Sequence, residues 1–457
     1  MKEELKRDYG ITLVALIITI IILLILAGIS IQVLSQTNLF EQAKLAKNIT
    51  ENAQKEEKEE ISKLEDAIYD YSNNVEQVTD KDPGKLEIDE NNNDTYIINS
   101  IEDLVFFAYD VTNGNSYLGK TVKLGASLDF NSSKSYIDCD RTDYEKYGYK
   151  GKLKEKIMTD GFIPIGKITN NKENIEEVLK NNSFNGIFDG NGNTIKNLKI
   201  IEKITNKDEG IAIGLFAINC GTLQNIKLID VDINAEIDDN LYFSVSALAG
   251  TNYINGIIKR CYVTGNVYGF TKQYSFNIGG IAGSNSGKID ECYNNAKIYS
   301  KMNSNSMYGR IGGVVGVNES AGIINNIYNI GQIKNEKCDN YKNNSEYIGG
   351  LVGLNMGILN NGYSKGSIEN YSTYNYIRIG NITGSNQKTL ENCYFLNNNT
   401  IINESDANTQ IVTFGTQVTE KEIKDNNFIT KLNENNLNIW KSDTSNINNG
   451  YPILYWQ

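Results

Sequence analysis

The segments IGGIAG, IGGVVG and IGGLVG close on Gly283, Gly316 and Gly353, and two weaker copies, ALAG and GNITG, close on Gly250 and Gly384. With Ala217 in IGLFA as the first anchor, the intervals are 33, 33, 33, 37 and 31 residues. A unit this short buries too little surface to stand alone, so the copies must stack into one quasi-linear body. A second block follows each anchor: GTLQNIK from Gly221, GIIKRCY from Gly256, GKIDECY from Gly287, GIINNIY from Gly322, GILNNGY from Gly357 and KTLENCY from Lys388. Upstream, NTIKNLKI from Asn193 fits the same pattern and brings the expectation to about seven coils.

If successive coils sit at the strand spacing of ~4.8 Å, equivalent positions become ladders. Leu223, Ile258, Ile289, Ile324, Leu359 and Leu390 then form an aliphatic column. Beside it run Ile226, Cys261, Cys292, Ile327, Gly362 and Cys393, followed by Tyr262, Tyr293, Tyr328, Tyr363 and Tyr394. Cysteine shares its column with isoleucine and glycine, so Cys261, Cys292 and Cys393 read as core and not as nucleophiles or metal ligands. Lys259 over Asp290 and Arg260 over Glu291 would set opposite charges on adjacent rungs. Forty Gly, 28 Tyr and only 3 Pro, with abundant Asn, favour strands and tight turns over a helical bundle. The fold expected is mainly β: a β-helix or solenoid with helical caps, preceded by a long N-terminal membrane and stalk helix.

These repeats resemble the GLUG repeat of bacterial surface proteins, with Gly350-Leu351-Val352-Gly353 the clearest copy. The resemblance extends to YIINSIEDLVFFAYDVTNG, KTVKLGASLDF, FIPIG, FNGIFDGNGNTIKNLKI and the closing NNGYPILYWQ, and so covers about 95 to 457. It implies a β-solenoid displayed at the cell surface, often with an adhesive role, and supplies no catalytic residues.

Residues 11–34 carry no charge, and 24 residues in a helix would cover the ~30 Å apolar core of a bilayer. MKEELKRDYG precedes them. A charged leader ending in Gly10, followed by Ile11-Thr12-Leu13-Val14, resembles a type IV prepilin or pseudopilin leader over roughly the first 45 residues. The resemblance implies cleavage between Gly10 and Ile11 by a prepilin peptidase, N-methylation of Ile11 and contact with pilin-like subunits. The family carries Glu at the fifth mature position, where this chain has Ala15, a departure that bears on filament packing. An uncleaved signal anchor is the plain alternative.

The organisation expected is a leader over 1–10, a transmembrane helix over 11–34, a helical stalk over 35–72 and an acidic linker over 73–94. An N-terminal cap region over 95–160, the solenoid over 161–400 and a C-terminal cap over 401–457 complete it. Ser100 and Asp103 start a capped helix in the first cap; 419–440 reads as a helix in the last, with Ile423, Phe428, Leu432 and Trp440 available for packing.

The chain has no histidine, which excludes Ser-His-Asp and Cys-His nucleophile systems, HExxH zinc sites and any His general base. Its net charge of −12 is concentrated in residues 41–94, which hold 7 basic and 16 acidic groups, and no basic patch suits nucleic acid. GNSYLGKT over 114–121 matches the letters of a phosphate-binding loop, but the expected order is helix then strand, the reverse of what such a loop needs. Asp189, Asn191 and Asn193 begin like a calcium loop, yet Thr194 stands where its turn Gly belongs and Ile200 where its bidentate Glu belongs. Asp230 with Asp232, or Asp238 with Asp239, could pair as acid and base, although acidic residues hold no fixed column. No cofactor, metal or catalytic residue is expected.

The function expected is a membrane- or pilus-anchored adhesion or interaction module, its C-terminal domain outside the cell, meeting a surface glycan or protein and not an enzyme. A surface polysaccharide-active β-helix enzyme and a minor pseudopilin of a secretion or pilus system are the alternatives. If the leader is processed, the mature chain should begin at Ile11 by mass spectrometry, and Gly10→Val should retain the leader; an intact leader on most wild-type molecules would refute processing.

Overall fold

The computed structural model describes residues 18–22, 85–167, 182–205, 212–238, 243–272, 275–302, 308–337, 345–373, 376–405, 408–434 and 438–457. Of the expected membrane span only 18–22 are described, as helix; Gly10, Ile11, Ala15, the stalk and most of the acidic linker lie outside the described residues. Among the described residues no helix is long and apolar enough to cross a membrane.

Residues 82–457 form one compact unit. Its body is a β-solenoid whose turns run through three parallel sheets. The strand Lys288–Met302 belongs to a 19-stranded sheet, Tyr308–Gly312 to a seven-stranded sheet and Val315–Asn318 to a six-stranded sheet, before Ile323–Asn329 and Ile333–Asn335 rejoin the first. The six-stranded sheet sets the number of complete turns at about six, against the seven expected. The NTIKNLKI segment joins the 19-stranded sheet through Thr194–Lys196 and Lys199–Ile204 without contributing to the six-stranded one.

The expected columns are the observed register. Leu223 pairs with Ile258, Ile258 with Ile289, Ile289 with Ile324, Ile324 with Leu359 and Leu359 with Leu390. Tyr262, Tyr293, Tyr328, Tyr363 and Tyr394 pair in succession, and the first four rings stack at 4.8, 4.6 and 5.0 Å. Between the aliphatic and tyrosine columns each turn bends through a left-handed residue: Asn225, Arg260, Glu291, Asn326, Asn361 and Asn392 all have φ between 49° and 59°. Asparagine tolerates that conformation best among non-glycine residues, which accounts for part of its abundance. Lys259 does pair with Asp290, but the Asp290 carboxylate bonds Lys288 at 2.9 Å and Asn326 at 2.8 Å.

A second use of asparagine lies inside. Asn219, Asn252, Asn285, Asn318, Asn355 and Asn386 stand one above another, and each Nδ2 donates to the next Oδ1 at 2.7–2.8 Å. Ser300, Asn335, Asn370 and Asn403 form another such file at 2.8–2.9 Å. Burying an amide without partners is costly, and the stack supplies those partners at every rung.

The helix Ile101–Thr112 starts as expected, with the Asp103 amide donating to Ser100 Oγ and the Ser100 amide to Asp103 Oδ2. Its Phe107 packs on Phe184, Phe188 and Phe216 at the front of the solenoid. The C-terminal expectation needs correction. The helical stretch is two short helices, Glu420–Ile423 and Asn426–Asn433, because Asp425 leaves the first and caps the second through the Asn427 amide. Nor does the tail simply close the far end: it returns along the tyrosine column. Trp440 lies against the rings of Tyr328 and Tyr363 at 6.0 and 5.9 Å, and Trp456 Nε1 donates to the Glu291 carbonyl at 3.0 Å.

Asn318→Ala would strip Asn285 and Asn355 of one partner each and should cost about 2 kcal/mol in urea unfolding. Asn295→Ala, on the exposed face of the same turn, should change stability by less than about 0.5 kcal/mol.

Candidate functional groove

Between the seven- and six-stranded sheets the chain doubles back through two or three residues, such as Gly313-Val314. The two backbones then nearly touch. A Cβ at Gly250, Gly283, Gly316, Gly353 or Gly384 would stand 2.5–2.6 Å from a main-chain nitrogen of Ile213, Val245, Ile278, Ile311 or Ile348. None of these anchors has a positive φ, so glycine is required by close approach and not by conformation.

Two columns of side chains flank the anchors along the solenoid and largely close over them, for Ser244, Asn277, Val317, Leu354 and Ser385 are all buried. One is the column Ser244, Asn277, Arg310, Tyr347, Arg378 and Gln410, each residue paired with the next; it is buried at Ser244 and Asn277, half-buried from Arg310 to Arg378 and exposed at Gln410. The other is Thr251, Ser284, Val317, Leu354 and Ser385. At the front, Ser244, Thr251, Ser284, Ser286 and Glu319 line a hollow of about 400 Å³. Burial raises the Glu319 carboxyl above its ordinary range, and Arg310 pulls it down in part.

Further along, Arg310 lies over the Tyr308 ring at 5.5 Å and donates to Asn277 Oδ1 at 3.2 Å. Arg378 lies over the Tyr376 ring at 5.6 Å and donates to Gln410 Oε1 at 3.3 Å. Tyr347 stands on the rung between them; burial raises its phenol, with Tyr376 and Tyr308 acting the same way and both arginines acting against them. None of these residues was singled out from sequence. The signal available was a residue two before the glycines of the repeat, in YGRIGG, SEYIGG and YIRIG.

Cys261, Cys292 and Cys393 are core. Their thiols face backbone carbonyls of Lys259, Asp290 and Glu391 at 3.1–3.3 Å, and burial pushes the Cys393 thiol up to about 12 and the Cys292 thiol well above its ordinary value. Tyr328 and Tyr363 are wholly covered by the returning tail, so the tyrosine column is no free stacking surface. Asp230 and Asp232 line a hollow of about 250 Å³ with Lys199, Asn197 and Met158. Asp238 bonds Lys272 at 2.8 Å, and Asp239 lies outside the described residues. In the phosphate-loop look-alike, Lys120 pairs with Asp94 and Thr121 opens a strand. The Asp189 carboxylate accepts from Gln224 and Asn225 at 2.7 and 2.9 Å, and Asn191 and Asn193 donate to the Leu124 carbonyl.

Among the described residues the Glu346 carboxyl side chain is fully enclosed. Glu346 pairs in register with Gly309 and Ile377 inside the solenoid, accepts from Asn335 Nδ2 at 2.8 Å, and burial pushes it up to about 7.

No protein-family model matches the chain, and no curated protein matches it. A solved structure of a putative immunoglobulin A1 protease from Bacteroides ovatus shares its fold, with a TM-score of 0.51 at 18% identity over 83% of this chain and 95% of that one. The likeness is one of architecture. It nevertheless overturns the expectation that this chain is not an enzyme, because a protein of the same architecture is described as a protease, and that expectation is withdrawn.

Because the Glu346 pKa is raised on folding, its contribution to stability is full below about 4.5 and is lost as pH rises through about 7. Glu346→Gln should therefore gain in melting temperature relative to wild type as pH increases across that window; a constant difference from pH 4 to 8 would refute the assignment.

Proposed function

We propose that this chain is a cell-surface interaction module: a β-solenoid held at the membrane by the apolar segment 11–34, with the groove between its seven- and six-stranded sheets as the contact surface. The observation that carries the reading is the composition of the groove wall. Arg310, Tyr347 and Arg378 occupy successive rungs of one outward column in a chain of net charge −12. Cations and aromatic rings concentrated on one face are the usual makings of a recognition surface. The GLUG-like repeats and the prepilin-like leader support display outside the cell, with the leader removed by a prepilin peptidase. A second reading, processing of a bound protein, has the Bacteroides ovatus likeness in its favour.

Surface biotinylation of cells expressing the full chain tests the location, and incubation of the purified full chain with a glycan array and with immunoglobulin A1 tests the rest. Labelling of intact cells together with retention of at least one ligand class is expected. Immunoglobulin A1 fragments seen by mass spectrometry would put the second reading first, and an unlabelled chain that retains nothing would overturn the proposal.

A further inference from the structure

The hollow at the front of the two columns gathers polar groups that the protein leaves unpaired. Thr251, Ser284 and Val317 pair in register on three successive strands of the six-stranded sheet. The ladder runs on past the strand ends, the Ser286 amide donating to the Asn252 carbonyl and the Glu319 amide to the Asn285 carbonyl, both at 2.8 Å. Asn252, Asn285 and Asn318 turn inward to the amide file, so Tyr253, Ser286 and Glu319 share the outer side with Thr251, Ser284 and Val317. Thr251, Tyr253, Ser284, Ser286 and Glu319 all line the hollow. Among the described residues their side-chain oxygens have no hydrogen-bond or ion-pair partner. Ser284 is only 8% exposed, and a hydroxyl buried that far is costly unless what fills the hollow bonds to it.

These groups select a ligand by what they can exchange. Four hydroxyls each donate and accept, and a carboxylate only accepts, so the matching ligand carries several groups that themselves donate and accept. Hydroxyls do so. Glu319 is the one charged side chain lining the hollow, and Arg310 acts against it, so neither sign of ligand charge is favoured. An extended peptide would add its backbone at an open sheet edge, whereas the strands that carry Thr251, Ser284 and Val317 are each paired on both sides. Beside the hydroxyls lies an apolar border: Ile254 is 56% exposed and lines the hollow with Tyr253 and Ala321. A sugar ring has both a hydroxyl edge and C–H faces, and about 400 Å³ falls within the range of small-molecule sites.

We propose that this hollow binds a neutral sugar unit of a glycan, its hydroxyl edge toward Thr251, Ser284, Ser286 and Glu319 and a C–H face toward Tyr253 and Ile254. This rests on the interaction-module reading and names the ligand class. The test is an array of neutral, uronate-bearing and sialylated glycans read with the purified full chain, followed by titration calorimetry of the glycan retained. Neutral glycans should be retained, with an affinity that changes less than about twofold as salt is raised. Ser284→Val and Glu319→Met each install the residue found one rung further on, Val317 and Met356, so both variants should keep the wild-type circular dichroism. Each should weaken binding about tenfold. Lys334→Gln, in the 19-stranded sheet, should change it less than about twofold. A preference for charged glycans, an affinity that falls steeply with salt, or indifference to both hollow substitutions would overturn the inference. Retention of immunoglobulin A1 or of charged glycans alone would sink it and leave the module reading; retention of nothing would sink both.

Discussion

The turns of this protein are held in register by buried amides that bond along the solenoid axis. An asparagine inside a stack is satisfied only if another asparagine stands on the next rung, so a single slip would orphan every member from Asn219 to Asn386. Apolar columns alone would tolerate such a slip more easily, because aliphatic contacts are not directional. Constancy of register coexists with variable turn length. The same two columns are joined from Ser300 to Gly309, from Asn335 to Glu346 and from Asn370 to Ile377 by chains of different length. Loops absorb the difference, since closing a slightly longer loop costs little.

With register fixed, the glycine anchors fall into one line, and that line does more than permit a turn. It lets the seven- and six-stranded sheets approach backbone to backbone, which leaves the outward side chains of both sheets flanking a glycine floor. Repetition thus builds a groove without any residue being selected for it individually, and the walls are free to vary from rung to rung. Serine and asparagine occupy the front, arginine and tyrosine the middle.

What was legible in the sequence is what repeats. The aliphatic, cysteine and tyrosine columns were assigned from spacing alone and agree with the pairing, and the Ser100–Asp103 cap was visible as a local pattern. The asparagine file had an equally periodic signal, Asn two residues after each anchor, but the overall abundance of Asn hid it among turn residues. The groove wall was invisible for the opposite reason: Asn277, Arg310, Tyr347 and Arg378 share a position and no chemistry. The return of the tail could not be read at all. Trp456 meets Glu291 across 165 residues, and a single non-repeating contact leaves no period to detect.

That returning tail also decides which surface is left to meet a ligand. The stacked tyrosines would offer a continuous aromatic face, yet Tyr363 Oη donates to the Pro452 carbonyl at 2.6 Å and Tyr328 Oη bonds Gln457 at 3.0 Å. Their polar tips are spent within the chain, as buried phenols require. At the front, Phe107 and its ring cluster close the core. The glycine-floored groove is different in kind. Arg310 and Arg378 donate to the neutral amides of Asn277 and Gln410 and lie over the Tyr308 and Tyr376 rings, Arg310 also acts on the Glu319 carboxyl, and Tyr308 remains half exposed. These polar and aromatic side chains keep partly exposed faces where the more conspicuous tyrosine column does not, and the proposed contact surface is put here for that reason.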